Sequence, residues 1–167
     1  TEDRKEKDKR IVVIPNILNE TGISTLRTYL DSMNSMMIEN ATPFSPECFI
    51  LFSPEFIFTD LEVKTKEECI KTMSQALEEK HVVTEEFYDS VMDRESKTTT
   101  TIGNGVSLPH GSPTAVNESK VGIAILKNPI MWDNEQVQVV FLLAFRLSTR
   151  DEISRIQMFY KEYVTLI

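Results

Sequence analysis

Between Arg94 and Gly111 the chain reads RESKTTTTIGNGVSLPHG, and its residue types are those that phosphoryl transfer to an imidazole requires. His110 stands between Pro109, whose ring fixes φ at about −65° and which lacks an N–H, and Gly111, which lets the backbone approach a ligand closely. An imidazole so placed is held at a defined exit from a strand. Upstream, Thr98 to Thr101 offer hydroxyls, Gly103-Asn104-Gly105 offers a turn with exposed N–H groups, and Arg94 offers a planar guanidinium suited to bidentate phosphate contacts. Phosphoryl transfer needs little else than a neutral imidazole nitrogen in line with phosphorus and donors aimed at the equatorial oxygens. A plainer account fits the same residues: a Thr-rich, Gly-rich stretch is commonly a solvated hairpin loop, and a lone histidine after proline an exposed turn residue. Residue chemistry alone favours the plainer account.

The flanking segments must position these residues. Phe56 to Leu61 is aromatic and β-branched enough for a strand. Thr65 with Glu68 predicts a capping box, followed by Ile70, Met73 and Leu77 on one helix face. A second helix is expected from Thr84, burying Phe87 and Val91 and delivering Arg94 near its end, and Val106 to Leu108 is the strand that leads to His110. Val121 to Leu126 and Val137 to Phe145 are nearly continuous apolar runs, as central strands covered on both faces require. Trp132 lies in the connection between them and reads as a packing anchor. Ser148 with Asp151 opens the last helix, with Ile153, Ile156, Tyr160, Tyr163 and Ile167 at helical spacing. Nearer the N-terminus, Ile11 to Ile14 reads as a short strand, Ile23 to Met33 as an amphipathic helix, and Asn34 to Pro46 as a linker. Strands interleaved with helices predict an α/β fold of the α+β type, a mixed β-sheet flanked by helices on both faces.

Composition narrows the function. A formal net charge of −8 argues against nucleic acid binding through this segment, which would need clustered Lys and Arg. No apolar run approaches the roughly 18 residues of a membrane span, and the charged start TEDRKEKDKR is no secretory leader, so a cytoplasmic protein is expected. Cys48 and Cys69 have no CxxC spacing, Cys69 falls on a helix flank, and there is no HExxH, so no metal and no cofactor are expected. His81 closes a helical run, where a cation would complement the helix dipole, and reads as structural or solvated. No GxSxG supports a serine hydrolase.

Three stretches in order, LEVKTKEECIKTMSQALEEKHVVTEEFYDSVMDRE, TTTIGNGVSLPHG and VGIAILKNPIMWDNEQVQVVFLLAF, resemble the EIIA domain of the fructose/mannitol type in the bacterial sugar phosphotransferase system. The resemblance covers residues 51–167 and implies a domain that accepts phosphate from the phosphohistidine of HPr. It makes His110 the phosphoacceptor and Arg94 the active-site arginine, with Thr100, Thr101, Asn104 and Ser107 lining the site. Two departures accompany it. Where transport-type members often carry a second histidine at the start of the last helix, this chain has Glu152, and the chain stops at Ile167 where members usually continue through a short further segment, so a trimmed or disordered C-terminal end of the domain is expected.

A finer resemblance, carried by LFSPEFIF, IGNGVSLPHGSP, ILKNPIMW and FYKEYVTLI, is to the EIIA-like module at the end of transcriptional regulators and antiterminators that contain PTS regulation domains. Residues 1–50 then form an N-terminal appendage, similar to the last strand and helix of an EIIB-like domain plus a linker. Three functions stay open: a regulatory phosphoacceptor module, an EIIA component of sugar uptake that passes phosphate to EIIB, and an interaction module whose histidine is never phosphorylated. The partners implied are HPr and, within one polypeptide, EIIB-like and PTS regulation domains. A homodimer is compatible with a regulator, although no periodic stripe marks an interface.

Overall fold

The computed structural model describes residues 45–164. The expected strand at Ile11–Ile14, the helix at Ile23–Met33, most of the linker and Ile167 lie outside the described residues. Helix α1 (Pro46–Phe49) precedes strand β1 (Ile57–Leu61), then come α2 (Lys66–Glu79), α3 (Phe87–Lys97), β2 (Thr101–Gly103), β3 (Val106–Ser107), β4 (Lys120–Trp132), β5 (Glu135–Ala144) and α4 (Arg150–Val164). The strands form a five-stranded sheet in the order β1-β4-β5-β3-β2. β1 runs parallel to β4 and β3 parallel to β5, while β4–β5 and β2–β3 are antiparallel. The sheet is therefore mixed.

Alternation along the central strands sends side chains to two separate cores, as the two-residue period of a strand dictates. Ala124, Leu126, Val140, Leu142 and Ala144 face α2 and α3, joining Cys69, Ile70, Met73, Leu77, Phe87 and Val91. Val121, Ile123, Ile125, Val139, Phe141 and Leu143 face the other way, onto Cys48, Leu51 and Phe52 and onto Ile156, Phe159 and Tyr163 of α4. Helices thus cover both faces, as the sequence predicts. Burial of each of the larger aliphatic and aromatic side chains among them stabilises the fold by roughly 1.5–3 kcal/mol. Burial also pushes the Cys69 thiol up to about 12 and the Cys48 thiol up to about 11, so neither is a ready nucleophile.

Helix α2 opens as expected: Thr65 Oγ1 accepts the Glu68 N–H at 3.2 Å, and the Glu68 carboxylate reaches back to the Lys64 N–H at 2.7 Å. It closes in a Schellman turn, with the Val82 N–H donating to Leu77 O and the His81 N–H to Glu78 O. His81 occupies the left-handed position at φ 57° that glycine usually fills, so its role is in the backbone. His81→Gly is expected to raise stability by about 0.5–1 kcal/mol, read as a shifted midpoint in urea unfolding.

Several boundaries differ from the sequence reading. Phe56 closes a short 3-10 turn before β1, and α3 begins at Phe87, because Thr84 sits in a turn whose carbonyl accepts the Phe87 N–H. β4 extends well past its apolar run, and β5 begins two residues before its own, so that the two form one long hairpin that turns at Asp133, whose φ is 57°. Polar residues on the extension follow from a register shift between Ile125 and Ile130, where the pairing is interrupted. Trp132 consequently lies in β4 and not in a connection. The last helix is capped by Thr149 with Glu152, not by Ser148 with Asp151. Its buried stripe is Ile156, Phe159 and Tyr163, whereas Ile153 and Tyr160 are exposed.

Candidate functional site

The site is built where the β2–β3 hairpin, the end of α3 and the segment after β3 converge. Asn104 and Gly105, at φ 52° and 74°, form the two-residue turn of the hairpin, the conformation that Asn-Gly adopts at least cost. Gly103 at φ 85° takes up a register shift beside it. A Cβ there would meet nothing within 4 Å, so the backbone angle alone demands glycine. Asn104 is exposed at the hairpin tip.

Past β3 the chain continues alongside β5. The Leu143 N–H donates to Pro109 O at 2.9 Å, and His110 forms a parallel bridge with Leu143. The imidazole is half-buried, with Nδ1 3.1 Å from Leu108 O. A carbonyl oxygen only accepts, so in the neutral imidazole this contact favours the tautomer with its proton on Nδ1 and its lone pair on Nε2.

Immediately downstream the loop is clasped to α3. A Cβ on Gly111 would stand 2.5 Å from Phe87 Cε2 and 2.7 Å from Ser90 Oγ, so no other residue allows this approach. The Ser112 N–H donates to Ser90 Oγ at 2.9 Å, and that hydroxyl in turn donates to Phe87 O at 2.7 Å. Arg94 follows Ser90 by four residues and therefore lies on the same helix face, one turn closer to the hairpin. Its Nη1 donates to Thr98 O at 3.3 Å. Among the described residues it makes no ion pair with a carboxylate, unlike Arg146, which lies 3.8 Å from Glu152. The guanidinium therefore retains donors for an anion.

The four threonines divide. Thr98 and Thr99 are exposed, and Thr101 is half-buried beside Thr99, 3.5 Å between their hydroxyls. Thr100 and Ser107, expected to line the site, are buried and bonded to their neighbours: Thr100 Oγ1 lies 2.9 Å from Ser107 Oγ and donates to Glu95 Oε2 at 2.7 Å. Glu95 Oε1 also accepts from the Thr100 N–H at 3.1 Å and from Trp132 Nε1 at 2.7 Å. This carboxylate, 3% exposed, is a residue the sequence reading missed. A signal existed, because Phe87, Val91 and Glu95 recur every four residues and form the buried stripe of α3. Nearby, Lys66 pairs with Asp133 and holds its carboxyl below the usual range, Thr99 adding a hydrogen bond.

Glu152 accepts the N–H groups of Ser148 and Thr149 at 2.9 and 3.0 Å, so its charge serves the first turn of α4. Among the described residues no cluster of three His, Cys, Asp or Glu could hold a metal ion.

Residues 50–161 match the family described as phosphoenolpyruvate-dependent sugar phosphotransferase system, EIIA 2. The chain belongs to this EIIA family. Among relatives, it is 32% identical over 110 residues to the transcriptional regulator ManR of Bacillus subtilis, a match covering 66% of this chain but only 15% of the regulator. It is 32% identical over 116 residues to the mannitol-specific phosphotransferase enzyme IIA component of Halalkalibacterium halodurans, covering 67% of this chain and 80% of that one. The crystal structure of IIA mannitol from Escherichia coli superposes with a TM-score of 0.54 at 25% identity, covering 63% of this chain and 77% of that one. The complex of Escherichia coli enzyme IIA mannitol with phosphorylated enzyme IIB gives 0.55 at 25%, covering 69% and 87%. The EIIA assignment and the mixed sheet with helices on both faces agree with what the sequence motifs imply, and the matched region contains every candidate site residue from Arg94 to His110.

Proposed function

We propose that this EIIA domain is a regulatory phosphoacceptor, charged on His110 Nε2 by the phosphohistidine of an HPr-type carrier in the cytoplasm. The observation that carries the reading is the Nδ1 contact to Leu108 O, which leaves Nε2 as the free nucleophile. In the transfer, the Nε2 lone pair forms a bond to phosphorus as the carrier's N–P bond breaks, and the carrier imidazole keeps the electron pair. Nδ1 retains its proton on the Leu108 carbonyl throughout. Arg94 neutralises charge on the equatorial oxygens. The product gains about −1.5 to −2 charge, enough to make or break hydrogen bonds to a neighbouring domain.

A regulatory output is favoured by Glu152, an acidic capping residue where transport-type members often carry a second histidine. The regulator ManR supports the same reading from its sequence similarity. The second reading is a component of sugar uptake that hands phosphate to a cysteine of EIIB, favoured by the mannitol-specific relatives and by the enzyme IIA–enzyme IIB complex. Incubation with phosphoenolpyruvate, enzyme I and HPr, followed by peptide mapping under mildly basic conditions, tests the acceptor. Label on His110 is expected, and label elsewhere, or none while HPr is charged, sinks the proposal. Adding EIIB separates the two outputs: a regulatory module keeps its label, and an uptake component passes it on. Arg94→Ala is expected to slow charging about 100-fold with an unchanged melting temperature, and an unchanged rate would remove Arg94 from the mechanism.

A further inference from the structure

We infer that Glu95 is a positioning residue for the phosphoacceptor, acting through Thr100 and Leu108 on the tautomer of His110. The inference rests on the reading of His110 given above. A continuous set of hydrogen bonds joins the two side chains. Trp132 Nε1, the Thr100 N–H and Thr100 Oγ1 all donate to the Glu95 carboxylate, at 2.7, 3.1 and 2.7 Å. Thr100 O accepts the Leu108 N–H at 3.0 Å, and Leu108 O takes Nδ1 of His110 at 3.1 Å. Thr100 Oγ1 also meets Ser107 Oγ at 2.9 Å, so Glu95 fixes both strands of the hairpin that precedes the histidine.

A buried carboxylate is costly unless its oxygens are satisfied, and here three donors satisfy them. The Trp132 donor comes from the far end of β4, so the long β4–β5 hairpin braces the carboxylate from the sheet while α3 carries it from the helix layer. Without that brace, Thr100 can rotate away, the Leu108 carbonyl loses its fixed direction, and the imidazole is free to exchange tautomers and orientation. Losing alignment by an ångström or so lowers the rate of an in-line transfer without weakening the docking of the carrier.

The expected variants follow from this geometry. In Glu95→Ala, kcat for charging falls about 10- to 100-fold while KM for the HPr carrier is unchanged. Glu95→Gln retains near-native kcat, because the amide oxygen keeps the Trp132 and Thr100 N–H bonds and its NH₂ donates to Thr100 Oγ1, which then donates to Ser107. Nitrogen NMR of the imidazole supplies a readout independent of any transfer: native His110 is expected as the Nδ1–H tautomer, and Glu95→Ala as a mixture. A folded Glu95→Ala with native kcat and a single tautomer overturns the inference, as does a Glu95→Gln as slow as the alanine variant. If circular dichroism finds Glu95→Ala unfolded, Thr100→Val takes its place, and a native kcat with an unmixed tautomer there is equally fatal. Should the native chain take no phosphoryl group, the proposed function fails by itself, and the tautomer spectra still decide the role of Glu95.

Discussion

His110→Ala is expected to abolish phosphoryl acceptance altogether while costing no more than about 1 kcal/mol of stability. On the proposed mechanism the nucleophile disappears with the imidazole, and the other histidine of the chain does not replace it: His81 is exposed at the C-terminal turn of α2, and its left-handed backbone already has a structural role. The fold should tolerate the change, because the elements that hold this segment are backbone contacts. Leu143 N–H to Pro109 O and Ser112 N–H to Ser90 Oγ do not involve the side chain, and Gly111 still packs on Phe87. What is lost is a half-buried imidazole and its bond to Leu108 O. Charging assays beside a denaturant melt check both parts. Residual label on a folded His110→Ala chain would place the acceptor elsewhere, and a collapse of stability would mean that the imidazole is structural first.

Much of the fold around the candidate site is legible in the sequence because the features that shape it are local. Asn104-Gly105 encodes its own turn, Thr65-x-x-Glu68 its own cap, and Pro109-His110-Gly111 its own rigid exit. The central strands were legible for another reason: runs such as Val121 to Leu126 are apolar on both faces, and both faces prove to be buried. Features that depend on pairing between distant segments were not legible. Glu95 meets Trp132 across 37 positions, and only the folded hairpin brings an indole N–H to that carboxylate. The burial of Thr100 and Ser107 follows from the same pairing, since either hydroxyl, taken alone, is as suited to a ligand as to a neighbour. The start of α4 is ambiguous in the sequence because Ser148-x-x-Asp151 and Thr149-x-x-Glu152 overlap, and the choice is made by the longer glutamate side chain, which reaches two N–H groups at once. The histidine nitrogen that bears the proton depends on the direction of one carbonyl, which no residue pattern states.

Trp132→Ala is expected to cost about 3–5 kcal/mol, the largest loss of stability among single changes near the site. The indole is fully buried, at 0% exposure, in the core that also contains Ile130, Val137 and Val91, so truncation removes its transfer energy and leaves a cavity. It also takes a donor from a buried carboxylate, a loss of about 1–3 kcal/mol that overlaps with the first and does not simply add. Trp132→Phe separates the two, since it keeps most of the packing and removes only the N–H, and its cost should fall to about 1–3 kcal/mol. Unfolding in guanidinium followed by circular dichroism gives both values, and in the native chain the single tryptophan reports the same transition by fluorescence. A loss below about 1 kcal/mol for the alanine variant would mean that the indole is not a packing anchor. A tryptophan that serves only the core would leave the charging rate of Trp132→Phe at its native value. One that also braces Glu95 would lower that rate along with the stability, so the phenylalanine variant shows where packing ends and positioning of the phosphoacceptor begins.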